Sequence, residues 1–450
     1  MRRRFITYTV LTALLLTAAV AVCIIRWDAW FSNPAEDTYF VTAEPDNIIV
    51  GFGSNYLSRT ISWRSSEDKS SFAVVDGDTL PATGTEVISR SGEAVYYRVE
   101  KDSLEPGFHS YFVQTGDFRS YDYTFYLADG EVSRLFVFGD IQEKDTVSAF
   151  SQFCDSVVYT LFDSISIPAM FAYAGDVIDR PTDYAWETWF GSLHGLQTFL
   201  PQLAAVGNHE YLKGLKPSCD PRWKYIFSYP DNSAERFRGT TGYIDYPAFR
   251  LIVINTQDLF WLSDYMIMQT WLNKALLETG NKFSIVLMHH SIYSAAMNRS
   301  HPLVYATLHR TLQKADLVVA GHDHLYTRRA NTKTYLLEDS VSYSAPVFIV
   351  TTSATKQYLP KCSPKDQRIG SANTFFEDIC VSDDTMRVVT RLMTTGECYD
   401  EFVIIRDERN VIISDSLPAE TIVLPERYKG QNNIYIRRFI NRRNTRFQVF

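Results

Sequence analysis

The rhythm of apolar and polar positions changes along the chain, and each change marks a different kind of structure. Behind Arg2, Arg3 and Arg4 runs the unbroken apolar stretch FITYTVLTALLLTAAVAVCII, Phe5 to Ile25, about the 20 residues that cross a bilayer as a helix. With the basic flank inside, everything after Arg26 faces outward. No small-x-small cleavage site follows, and Val22 before Cys23 departs from a lipoprotein junction. Residues 1–38 therefore read as an anchor with its linker, SNPAEDTY (Ser32–Tyr39), or as a signal for secretion that is removed. Over 39–128 come short alternating runs, NIIVGFG, RTISWRS, AVYYRVE, HSYFVQTG and YDYTFYLA, separated by turn signals such as Pro106-Gly107. Alternation buries one face of each strand, so this segment predicts a small β-sandwich with Trp63 in its core.

From about Arg134 the strands become wholly apolar and end abruptly in turn residues or histidine: LFVFGD, AMFAYAGD, FRLIVINT, FSIVLMHH and ADLVVAGHDH. Val147, Phe150, Cys154, Val157 and Leu161 follow the first at helical spacing, and a helix near 183–199 follows the second. Strands alternating with helices predict an α/β core, whose ligand crevice opens at the carboxyl ends of the strands. PVFIVTT, ICVSDDTMRVVTRLM and EFVIIRD read as antiparallel strands. Mixed sheets sandwiched by helices are thus expected over 129–415. The tail, 416–450, carries Arg427, Lys429, Arg437, Arg438, Arg442, Arg443 and Arg446. It reads as a solvated or docking segment, with binding to an anionic lipid or polymer as the alternative.

With 450 residues, 46% of them hydrophobic and 21% charged, disorder and low complexity are excluded. A net charge of -8 offers nucleic acid no bulk attraction, and no nucleic-acid binding is expected. The six cysteines form no Cys-x-x-Cys pair and so no zinc-ribbon site. Cys362, Cys380 and Cys398 are close enough in sequence for one disulfide; buried free thiols are the alternative.

Of nine histidines, His209, His289, His290, His322 and His324 stand at the ends of predicted strands. Asp140, Asp176, Asp179 and Asn208 occupy the same kind of position. Oxygen and nitrogen donors gathered at one crevice suit a pair of divalent metals, because a carboxylate between two cations offsets their repulsion while imidazole and amide ligands leave room for an anionic substrate.

In order, GDIQ, GDVID, GNHE, VLMHH and GHDHLY resemble the motifs of the calcineurin-like metallophosphoesterases, and among these the purple acid phosphatases, over roughly 134–405. That group also places a fibronectin-like sandwich before its catalytic domain. The resemblance implies a phosphohydrolase with two divalent or trivalent metal ions (Fe, Mn or Zn), in which a metal-bound hydroxide attacks phosphate monoesters. Asp140 and His324 would bind the first metal, Asp176 would bridge, and Asn208, His289 and His322 would bind the second. His209 would contact phosphate and assist the leaving group. His290 is a substrate or supporting group, or packing beside the metals. His301 stands where the family often has another phosphate-binding histidine; a surface role is the alternative. Two positions depart from the pattern. Asp179 replaces the tyrosine that colours the purple enzymes, and Gln142 replaces a histidine of other members, so Asp179, Gln142 or water completes the first metal. Iron(III) with a tyrosinate is disfavoured unless Tyr293 or Tyr326 reaches the metal. The expected substrate is a phosphorylated small molecule or polymer. A phosphodiesterase acting on nucleotides or lipid head groups, and a non-catalytic cell-surface binding protein, are the rival readings.

Overall fold

The computed structural model of the chain describes residues 2–33, 35–36, 40–130, 133–142, 148–164, 167–280, 282–335 and 340–448. Val147 and part of the Ser32–Tyr39 linker lie outside these residues.

A helix, Arg2–Ile25, opens the chain; its Tyr8–Ile25 part is long and apolar enough to cross a membrane, and none of it is buried. Apolar character without protein contact suits lipid, and a signal sequence shares both properties. A short helix, Trp27–Phe31, follows. Its end is held by Lys213, whose Nζ donates to the Ala29 carbonyl at 3.0 Å and whose backbone exchanges hydrogen bonds with the Asn33 amide at 2.7 and 3.0 Å.

Residues 46–127 form two antiparallel sheets. One runs Asp46–Phe52, Arg59–Ser65, Gly92–Lys101, Thr83–Ser89, and the other runs Asp78–Pro81, Ser71–Val75, Gly107–Thr115, Phe118–Arg119, with Tyr123–Leu127 also on Gly107–Thr115. Their inward residues, among them Val50, Ile61, Trp63, Val75, Val113 and Phe125, share one core. Trp63 buries its ring there, and its Nε1 donates across the core to Thr115 Oγ1 at 3.0 Å, so the indole leaves no orphan donor.

Tyr211–Leu212 and Ser218–Cys219 pair separately, and fourteen further strands form a mixed sheet among the described residues. Strand alternation sorts its side chains into layers. Leu135 and Val137 of Ser133–Phe138 face a central core with Ile285, Leu287, Val319 and Ile349. Their neighbours Phe136 and Phe138 face outward onto Phe150, Phe153, Trp186 and Trp189. In the other half Val286 and Met288 face outward onto Leu272 of the helix Leu262–Leu277 and Leu308 of the helix Pro302–Leu312. Strands covered on both faces read as continuous apolar runs, and each fully buried phenylalanine contributes roughly 1.5–3 kcal/mol.

The structure departs from the expected elements in several places. The helix near 183–199 is two pieces, Asp183–Ser192 and Leu196–Phe199, because His194 and Gly195 take left-handed backbone angles of φ 49° and 88°. The strand Ser340–Val350, expected to be antiparallel, pairs both ways: Val347–Val350 run parallel to Leu317–Ala320 and antiparallel to Tyr326–Tyr335. All six cysteines are free, so the disulfide allowed among Cys362, Cys380 and Cys398 is absent. The basic tail docks: the helix Ile434–Gln448 lays Ile436 and Phe439 on Leu359, Cys362, Ile369 and Ile422, and Arg446 pairs with Glu420 at 2.6 Å.

Candidate metal centre

Four parallel strands bring the centre together from both halves of the sheet. Ser133–Phe138 leads into Gly139-Asp140, Met170–Tyr173 into Gly175-Asp176, Phe283–Met288 into His289, and Leu317–Ala320 into Gly321-His322. Asn208 and His209 follow the short strand Gln202–Ala204. Their backbones approach so closely that a Cβ on Gly175 would lie 2.5 Å from His289 Nδ1, and one on Gly207 would collide with the Asp176 carboxylate. Only glycine permits both loops.

His289 Nδ1 donates to the Ala174 carbonyl at 2.9 Å, which leaves Nε2 turned to Asn208 Oδ1 (3.1 Å), His322 Nδ1 (3.1 Å) and Asp176 Oδ2 (3.3 Å). His324 Nδ1 likewise donates to the Lys356 carbonyl at 3.0 Å, so its Nε2 faces the Gln142 amide nitrogen at 2.6 Å and Asp140 Oδ1 at 3.9 Å. Asp140 Oδ2 accepts from the His322 backbone N–H at 2.6 Å. Two acceptors, Asp140 Oδ1 and Gln142 Oε1, are buried without a hydrogen-bond partner. Convergent lone pairs and orphaned buried oxygens are what a cation satisfies. Within the cluster, Asp140, Asp176 and His289 offer atoms all within 4.8 Å of one another, as do His289, His290 and His322.

Burial and mutual interaction set the charges of these groups. Burial raises the Asp140 carboxyl. Burial also opposes ionisation of Asp176, but His289 and His209 outweigh it and hold this carboxyl well below its usual range. For His289, burial is overcome by Asp176 and the imidazole is pushed up to about 9. Burial, reinforced by neighbouring cationic groups, lowers His290, His322 and His324, which favours the neutral form of all three rings.

Around these donors lie the other expected residues. His209 Nδ1 is held by the Asp179 carbonyl, and its Nε2 lies 4.0 Å from Asp176 Oδ2 with the side chain 26% exposed. The Asp179 carboxylate pairs with Arg180 at 3.0 Å, and its carbonyl meets His209. His290 is fixed by Thr256 Oγ1 at 2.9 Å, and its ring lies 4.4 Å from that of His301 and 4.7 Å from that of His322. His301 precedes the helix Pro302–Leu312, and its Nε2 is buried without a partner. Tyr293 and Tyr326 spend their hydroxyls elsewhere, on His309 and Asp400 at 2.7 Å each.

Two participants escaped the sequence reading. Glu210 is fully buried and accepts the backbone N–H groups of Asp176 (3.0 Å), Gly207 (2.7 Å) and Ile178 (3.2 Å), tying two metal loops together. It stands inside GNHE, and its burial beside those donors was the missing signal. Arg299 donates to His322 Nε2 at 2.7 Å and lies over the Tyr358 ring. An arginine in an irregular loop carries no sequence signal.

Residues 133–326 match the calcineurin-like phosphoesterase family. This part of the chain is thus a calcineurin-like phosphoesterase domain, and the match supports a metal-dependent phosphoesterase. Among solved structures it is similar to the purple acid phosphatase PPD1 from yellow lupin (Lupinus luteus) seeds, at 17% identity and TM-score 0.67, covering 85% of this chain and 78% of that one. It is also similar to PhoD, at 12% identity and TM-score 0.58, covering 92% of this chain and 99% of that one. At these identities the likeness is one of fold. No curated protein sequence matches the chain.

Proposed function

We propose that the chain hydrolyses phosphate monoesters at a two-metal centre of purple acid phosphatase type. In this reading 39–128 is a fibronectin III-like sandwich, 129–415 the catalytic domain, and the N-terminal helix an anchor that leaves both facing outward. The observation that carries the reading is the convergence of Asn208, His322 and Asp176 on His289 Nε2, together with the orphaned buried oxygens of Asp140 and Gln142. Asp140, His324 and Gln142 would hold one ion, Asn208, His289 and His322 the other, and Asp176 both. Iron, manganese and zinc all suit this donor set. When bound, such ions neutralise charge on the phosphoryl oxygens and lower the pKa of a water.

The chain's own groups do the rest. The Asp179 carbonyl accepts a hydrogen bond from His209 Nδ1–H and so directs Nε2 beside Asp176, at the half-open side of the centre. From there His209 can give a proton to the leaving oxygen. His290 and His301 line the His322 side, where the His301 Nε2 lacks a protein partner and is available to a phosphate oxygen. Glu210 holds the Asp176 and Gly207 loops against each other.

The test is hydrolysis of p-nitrophenyl phosphate by chelator-stripped protein before and after each metal is returned, with bis-p-nitrophenyl phosphate alongside. Activity should return with metal and favour the monoester, and Asp176→Asn should lower it by about a thousandfold, the upper range for a single essential electrostatic group. A preference for the diester would establish the phosphodiesterase instead, and wild-type turnover in the variant would remove Asp176 from the bridge.

A further inference from the structure

Beyond the metals, the rim of the centre has a feature that monoester hydrolysis does not require. Tyr358, half-buried, sets its ring edge-on against His324 at 5.1 Å. Three cations surround that ring: Arg299 at 4.2 Å, Arg427 at 5.2 Å and Lys356 at 5.5 Å from its centroid. Among the described residues no carboxylate is within ion-pair reach of Lys356 or Arg427. Arg299 has Asp323 at 3.5 Å, but its Nε and the Asp323 Oδ1 are both buried without a hydrogen bond. Isolated surface cations are ordinarily just solvated. Three that converge on one ring repel each other, and the aromatic face offsets only part of that repulsion; an anion between them removes it.

The chain also invests structure in delivering these charges. Arg427 lies in the turn Glu426–Tyr428, just before the docked C-terminal helix, and its carbonyl accepts from Gln431 Nε2 at 2.7 Å. Tyr428 and Leu424 pack on the same apolar cluster as Met297, two residues before Arg299. The tail therefore positions one cation directly and braces the loop that carries another.

We propose that Arg299, Lys356 and Arg427 form a subsite for a second phosphate group of the substrate, with the C-terminal segment as part of the substrate site. This rests on the phosphohydrolase reading for the first phosphate, which would sit at the metal centre beside His322 and His324. The substrate class is then a condensed phosphate or a phosphoester bearing another phosphate. Arg427 acts on specificity, through attraction and hydrogen bonding to that group.

The experiment compares inorganic pyrophosphate with p-nitrophenyl phosphate on the full-length, metal-loaded protein. In Arg427→Ala the ratio of kcat/KM for pyrophosphate to that for p-nitrophenyl phosphate should fall about tenfold, the effect of one charge-assisted contact. Arg437→Ala removes the same charge from the exposed face of the tail helix and should leave the ratio at its wild-type value. Calorimetric binding of pyrophosphate should weaken by the same factor in Arg427→Ala, and this readout holds whether or not turnover occurs. An unchanged ratio and affinity in Arg427→Ala, or an equal drop in Arg437→Ala, overturns the subsite. Wild-type protein that binds pyrophosphate in an Arg427-dependent way but hydrolyses neither compound overturns the phosphohydrolase reading and keeps the subsite.

Discussion

His289 shows how much one side chain at a strand end can do. Its Nδ1 proton is spent on the Ala174 carbonyl, so its other nitrogen is committed to the centre, and the ring links Asp176 to His322. Residues of this kind were legible in the sequence because carboxylates, amides and histidines at successive strand ends have few other reasons to recur. Glu210 and Arg299 were not legible: one works by accepting backbone N–H groups, the other from a loop whose path only the folded chain defines. For the first metal the sequence left the choice open between Asp179, Gln142 and water, and we propose Gln142. The Asp179 carboxylate lies against Arg180, whereas the Gln142 amide is buried beside His324. Asp179→Ala should therefore retain both metals as measured by elemental analysis, while Gln142→Ala should lower occupancy of one. The opposite pattern would restore Asp179 as a ligand.

At the scale of elements, the loops after the strands hold their ligands in an unusual backbone. Asp140, Gln142, Asp176, His322 and His324 all have positive φ, from 21° to 72°, and such residues cost on the order of 1–3 kcal/mol each. The apolar alternation that announced the strands says nothing of this strain. Nor did it announce Tyr326–Tyr335, whose polar stretch TRRANTKT pairs with two neighbours. The hairpin formed by Phe375–Val381 and Thr385–Leu392 carries a pH-sensitive element. Glu377, in Phe375–Val381, is fully buried; burial pushes its carboxyl up to about 8 from 4.5, opposed by its bond from Thr390 Oγ1 at 2.6 Å. A carboxyl raised in the folded state binds its proton more tightly there than when unfolded. Its stabilising effect is complete below 4.5 and is lost as pH rises through about 8. Glu377→Gln should therefore flatten that decline, raising Tm relative to wild type at pH 8 more than at pH 5. A parallel pair of pH–Tm curves would show that Glu377 ionises freely in place.

Across the whole molecule, a buried ionic network joins regions far apart in sequence. Arg64 of the N-terminal sheets binds Asp46 at 2.7 Å and Glu187 of the Asp183–Ser192 helix at 2.8 Å. Arg222 binds Asp220 at 2.8 Å, Glu36 at 3.0 Å and Asp183, and Glu36 also accepts from the Asp183 backbone at 2.8 Å. Separations of more than a hundred residues hid this network from any reading of local pattern. Removing Arg222 leaves three carboxylates buried together, and breaking such a pair costs about 3–5 kcal/mol. Arg222→Ala should thus lower Tm sharply in a thermal melt, and a shift no larger than that of a surface substitution would show that water replaces the guanidinium.

The grip of Lys213 on Ala29 and Asn33 sets a distance as well as a contact. Lys213 follows Glu210 by three residues, a reach of about 10 Å at full extension, and Asn33 follows the end of the apolar helix by eight. The metal centre is therefore on a short leash to the point where that helix ends. With the helix seated in a bilayer, the centre would work in a shell a few tens of ångströms deep, and its encounters with phosphorylated molecules would be governed by their concentration near that surface rather than in the bulk. Lengthening the chain between Phe31 and Glu36 would not by itself release it, because the knot that sets the height is tied at Lys213.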